Sequence, residues 1–244
     1  MSAARRRAAL TLHELVLLAA LAVVAGFLYW ALVQGWLALQ VAMGPFGDLA
    51  QNALAGGWMV VAPLAVFIIR KPGVGIVAEV VAALVEVVFL ASPVGPMLIL
   101  VGVVQGAGAE LAFALTRYRR YGWGVFVLSG LTAAAANLAI GVVRFGWATQ
   151  DWFALRVALQ AVSGVVLCGL LARVTGEALL RTGVLDDHAV GRERLAAPAA
   201  TAVDSARAGG DAVPGSPGAS TPRDRKSTRL NSSHRMPSRM PSSA

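Results

Sequence analysis

Six polar side chains with ionisable or amide heads interrupt the apolar stretches of this 244-residue chain: Glu79, Glu86, Gln105, Glu110, Asn137 and Gln160. A carboxylate at membrane depth costs a few kcal/mol unless it faces protein or water, so each such residue marks a candidate site. Glu79 and Glu86 lie seven residues apart, two helical turns, and therefore share one face. Such a face can accept hydrogen bonds from a ligand amine or offset a cation. A carboxylate pair could also act as general acid and base inside a membrane enzyme. Structural roles compete with these: Glu79 and Glu110 could equally bond a neighbouring helix or meet nearby arginines.

Other chemistries lack their parts. The chain has no GxxxxGK[ST] loop, no HExxH, no CxxC and no GxSxG. Its three histidines, His13, His188 and His234, fall outside the apolar runs, which excludes a histidine-driven proton relay. Cys168 is alone, so no disulfide or cysteine metal site can form within one chain. No cofactor is expected.

The elements that carry these residues are membrane helices. Hydrophobic residues make up 57% and charged residues only 14% of the chain; a soluble domain carries about 25% charged. The net charge of +8 sits at helix ends and in the tail, without a basic face interleaved with aromatics, so nucleic acid is excluded as a partner. Six spans are expected, at about 12–33, 58–69, 74–90, 95–122, 123–143 and 153–174. Pro63 should kink the short second span. Arg70, Lys71, Arg117, Arg119 and Arg120 gather in two short loops, while the three alternate loops hold one cation, Arg144. The positive-inside rule then puts both termini in the cytoplasm. The expectation is an all-α integral membrane protein with six transmembrane helices.

Beyond that domain, residues 1–184, composition shifts to Ala, Gly, Pro, Ser and charge, so 185–244 is expected to be a disordered tail. Residues 224–244 read as adapter- or vector-derived sequence. The 34–57 stretch reads as a polar outer loop carrying Asp48, Gln51 and Asn52. Trp30, Trp36, Trp58, Trp147 and Trp152 cluster near the outer side and only Trp123 near the inner. An interfacial belt would populate both faces. The bias therefore favours an outward pocket for a flat, hydrogen-bonding ligand, with Glu86, Gln105, Asn137 and Gln160 at mid-depth or in the outer half.

Two strings carry a family resemblance: IIRKPGVGIVAEVVAALVEVV, Ile68 to Val88, and VQGAGAELAFALTRYRRYG, Val104 to Gly122. They resemble the YkoE-type substrate-binding (S) component of energy-coupling-factor transporters, a family linked to thiamin and its hydroxymethylpyrimidine precursor. The resemblance spans about residues 12–182. It implies a protein of the prokaryotic plasma membrane that captures a vitamin from outside. It also implies docking on a transmembrane coupling (T) subunit driven by two ABC ATPases. Under it, Trp58 stacks on the pyrimidine while Glu86, Gln105 and Asn137 bond it, with Glu110, Gln51 and Asn52 as further candidate contacts. The resemblance would also make the outer loop through Asp48, Gln51 and Asn52 a lid. Ala22 and Gly26, small residues on the first helix, become candidates for docking the coupling subunit. The residues alone leave other readings open: an intramembrane enzyme using the Glu pair, a ligand-free coupling subunit, or a stand-alone secondary transporter.

Overall fold

The long first apolar run meets no helix breaker until Gly44–Pro45, and in the computed structural model, which describes residues 10–196 apart from the side chain of residue 45, it forms one helix. This is α1, Leu12–Met43, 32 residues, or about 48 Å at 1.5 Å per residue. Thr11 and Glu14 close a capping box at its start, and Lys71 pairs with Glu14 at 2.6 Å. Glu14 thus fixes where α1 begins.

The expected outer loop over 34–57 is largely helical. After a 3-10 turn at Gly44–Phe46, α2 covers Gly47–Leu54, and a second 3-10 turn, Ala55–Met59, leads into α3, Val61–Ile69. Together Gly47–Ile69 form an apolar stretch of 23 residues, which accounts for the shortness of the expected second span. All nine residues of α3 are buried, so it is the central helix. Pro63 does not kink it; it lies in the first turn, where a missing N–H costs little. The carbonyl of Met59, which residue 63 would ordinarily satisfy, instead accepts the Cys168 thiol at 3.2 Å.

Next comes α4, Val74–Leu84, continuing as a π turn over Val85–Phe89. It is followed by α5, Met97–Leu115, and α6, Trp123–Phe145. The last apolar stretch is α7, Phe153–Ser163, a π segment over Gly164–Leu170, and α8, Leu171–Arg181. Among the described residues there are helices and turns but no strands. Five stretches are long and apolar enough to cross a membrane: Leu12–Met43, Gly47–Ile69, Met97–Leu115, Trp123–Phe145 and Phe153–Arg181. The expected third span is the exception, because its eleven α-helical residues and five-residue π turn fall short of that length.

Small residues set the packing. A Cβ on Gly26 would stand 2.7 Å from the Ala82 carbonyl, so α1 lies directly against α4. Ala22 is fully buried in the same face. Ala22 and Gly26, the candidates for docking a coupling subunit, are thus packed against α4 within this chain. At one end of the bundle Phe67, Phe113 and Phe126 meet edge to face, with centroids 5.7 and 5.2 Å apart. Arg173 lies over the Phe67 and Phe126 rings.

That core reaches past the expected tail boundary. Leu185 and Val190 are buried within it, and Arg70 pairs with Glu193. Residues 185–196 therefore pack on the helices, because two apolar side chains in a polar stretch suffice to anchor it. The remainder of the expected tail, including 224–244, lies outside the described residues.

Candidate functional site

Two ends of the bundle differ in kind. The basic end gathers Arg70, Lys71, the Thr116–Tyr121 turn and Arg173. At the opposite end α2, the Leu90–Pro96 turn and the Gly146–Trp152 turn surround a cavity of about 290 Å³. Of the residues expected at a site, Glu86, Gln105, Asn137, Trp58 and Gln51 all line it. They come from four separate elements: the π turn after α4, α5, α6, and the α2–α3 stretch.

Aromatic walls are built by close contacts. Trp58 and Trp36 meet edge to face at 6.5 Å, and the Trp58 Nε1–H donates to the Tyr29 carbonyl at 3.0 Å. Trp147 is only 2% exposed and stacks on Phe145 at 5.7 Å. Its ring lies where a Cβ on Gly141 would be, 2.0 Å away, so only glycine admits it. Three of the five tryptophans near this end thus face the cavity. Trp152 is 61% exposed and does not line the cavity.

The polar groups divide into satisfied and unsatisfied ones. Gln105 Nε2 donates to Asn137 Oδ1 at 2.8 Å, fixing the two amides relative to each other. Glu79 also lines the cavity but is engaged: its Oε1 accepts from the Tyr29 hydroxyl and the Ala62 N–H, both at 3.1 Å. The Tyr29 hydroxyl in turn accepts the Val61 N–H at 3.0 Å. Tyr29 and Glu79 therefore cap the start of α3, whose first N–H groups lack helical partners. Glu86 differs. It is 1% exposed, and its Oε2 has no hydrogen-bond partner among the described residues. An unpaired buried carboxylate oxygen is costly, and it is a strong acceptor for whatever donor enters.

Two expected site residues lie elsewhere. Glu110 is at the basic end, where its carboxylate accepts the backbone N–H groups of Gly73, Gly75 and Ile76 and the Tyr118 hydroxyl. It ties the α3–α4 turn to the turn after α5, since its helix points it inward little more than a turn beyond Gln105. Burial first, then the bond to Glu110, pushes the Tyr118 hydroxyl above its ordinary pKa, so it stays a donor. Asn52 is fully buried in α2, bonded to the Asp48 carbonyl at 3.1 Å, and does not line the cavity. Gln160 likewise bonds between helices, to the Ala134 carbonyl.

Sequence reasoning missed Tyr29 and Arg156. Arg156 pairs with Asp48 at 2.7 Å, bonds Gln150 at 3.1 Å and lies over the Trp147 ring at 5.3 Å. It clamps α2 and the Gly146–Trp152 turn over the cavity. The available signal was a lone cation three residues into an apolar span. No group of three metal-ligating side chains occurs among the described residues.

The chain is similar to known transporter components. Residues 13–136 match a family model described as the permease component of an ABC-type cobalt transport system. Over 155 residues the chain is 37% identical to the HMP/thiamine permease protein YkoE of Bacillus subtilis (strain 168), covering 63% of this chain and 77% of that one. A crystal structure of an S component of an ECF transporter superposes with a TM-score of 0.71 at 31% identity, covering 84% of this chain and all of that one. These relatives are transporter subunits rather than enzymes. The chain belongs to the YkoE-type family of S components of energy-coupling-factor transporters.

Proposed function

We propose that this protein is the substrate-capture subunit of an ECF-type importer and binds thiamin or its hydroxymethylpyrimidine precursor in the cavity between Trp58, Trp147 and Glu86. The observation that carries the reading is the unpartnered Glu86 oxygen, buried in an aromatic hollow beside the fixed Gln105–Asn137 pair. An aminopyrimidine supplies what that hollow lacks: an amine donor for Glu86, ring nitrogens for an amide N–H, and a flat face for tryptophan. In thiamin the thiazolium adds a positive charge that Glu86 can offset. A metal cargo, as the matched family description names, would call for clustered histidines or carboxylates, and the cavity's donors suit an organic ligand better.

The reading carries an orientation. The cavity end faces outward and the basic end faces the cytoplasm of a prokaryotic cell, with Val74–Phe89 completing six spans across a bilayer thinned around it. Gln51, on α2, lies in the covering segment and would contact the ligand as a lid closes. Energy comes from a coupling T subunit and two ABC ATPases, whose work reorients the loaded bundle.

The test is a titration of purified protein with thiamin and with hydroxymethylpyrimidine. Replacing Glu86→Gln removes a charge-assisted bond, so affinity should fall about 10–100-fold. Unchanged affinity would remove Glu86 from the site. No binding of either compound by the unaltered protein would sink the vitamin reading.

A further inference from the structure

Arg144, in the last turn of α6, stands where two hollows meet. It lines the 290 Å³ cavity and also a separate groove of about 300 Å³ between α5 and α6. Val101 and Ile140 are shared in the same way, so the wall between the hollows is a single layer of side chains. The groove's other residues, Leu100 and Val143 among them, are apolar and outward-facing, at 54% and 88% exposure. Arg144 stacks on the Phe145 ring at 5.1 Å. The ion pairs among the described residues use Arg70, Lys71, Arg156 and Arg173, and none uses Arg144.

An exposed guanidinium without an acid partner, standing between the cavity rim and an apolar groove, is complementary to an anion. Its forked N–H groups fit the paired oxygens of phosphate and carboxylate alike, and at a helix end beside an outward-facing apolar groove phosphate is the anion a lipid headgroup presents. We propose that Arg144 binds a phosphate group at this junction. Two sources present the same chemistry. One is a phosphomonoester of the captured ligand, its ring in the cavity and its phosphate at the rim; this source rests on the capture reading above. The other is a phospholipid headgroup whose acyl chain lies in the α5–α6 groove, and it is independent of that reading.

The experiment has two arms on the full chain, comparing the unaltered protein with Arg144→Gln and Arg144→Lys. In detergent, hydroxymethylpyrimidine and its monophosphate are titrated separately. In parallel, retention of phosphatidylglycerol is read by native mass spectrometry. If the phosphate is the ligand's, Arg144→Gln weakens the monophosphate by about tenfold or more, leaves the unphosphorylated compound within about threefold, and Arg144→Lys recovers part of the loss. If it is the lipid's, phosphatidylglycerol retention falls and both soluble affinities hold. Should the glutamine variant change neither, and merely lower the unfolding midpoint, Arg144 serves only the helix end and the proposal is overturned. Failure of the unaltered protein to bind either pyrimidine defeats the capture reading alone, and the lipid arm then decides Arg144.

Discussion

The difference between Glu79 and Glu86 is one of partners. Both are buried carboxylates on one face, yet Glu79 has the Tyr29 hydroxyl and the Ala62 N–H, while a Glu86 oxygen has none. The first is structural and the second is poised. Tyr29→Phe would strand the Val61 N–H and half of Glu79's bonding, at about 1–3 kcal/mol. The expected result is a lower thermal midpoint with ligand affinity little changed, because Trp58 bonds the Tyr29 backbone rather than its hydroxyl. Glu110 gives a complementary case. Glu110→Gln should lower the midpoint through the basic-end turns and leave the dissociation constant within about twofold, since a neutral amide loses only distant charge-assisted bonds. A large loss of affinity would return Glu110 to the binding site.

Between elements, glycines decide how closely helices and rings approach. Gly141 is the informative one, because its missing side chain is the space that Trp147 fills. In Gly141→Ala the indole must move, narrowing the cavity, and overpacking of this kind costs about 1–3 kcal/mol. Ligand affinity should fall more than stability does, as titration and thermal unfolding of one preparation would show. The reverse order would mean Trp147 is a packing residue only. The π segments at Val85–Phe89 and Gly164–Leu170 matter at the same scale. The first carries Glu86, and the second brings Cys168 to the carbonyl freed by Pro63.

For the molecule as a whole, the two glycines of α1 have different surroundings. Gly26 touches the α4 backbone, whereas a Cβ on Gly35 would meet nothing within 4 Å. Gly26→Val should therefore abolish or strongly reduce recovery of folded protein on its own, while Gly35→Val leaves the isolated subunit's unfolding midpoint unchanged. Size-exclusion profiles of the two variants check this, and a well-folded Gly26→Val protein would contradict the packing described. Ion pairs divide the molecule in the same sense. Arg156–Asp48 holds the cavity's cover, and Lys71–Glu14 and Arg70–Glu193 hold the basic end.

Apolar run length and the placement of cations were legible from the residues alone, because a helix must be about 20 residues long to cross a bilayer and every interruption is visible. Those features pointed to membrane helices, and Glu86, Gln105, Asn137, Trp58 and Gln51, singled out as candidate contacts by residue type and family resemblance, line one cavity. What the linear pattern left undecided was which side of each helix meets which neighbour. A helix puts Gln105 and Glu110 little more than a turn apart, yet one faces the cavity and the other the basic-end turns. Ala22 and Gly26 could have faced a partner or α4, since small residues permit close approach without naming what approaches. Only packing in three dimensions chose, because burial and hydrogen-bond satisfaction depend on atoms brought together from distant parts of the chain.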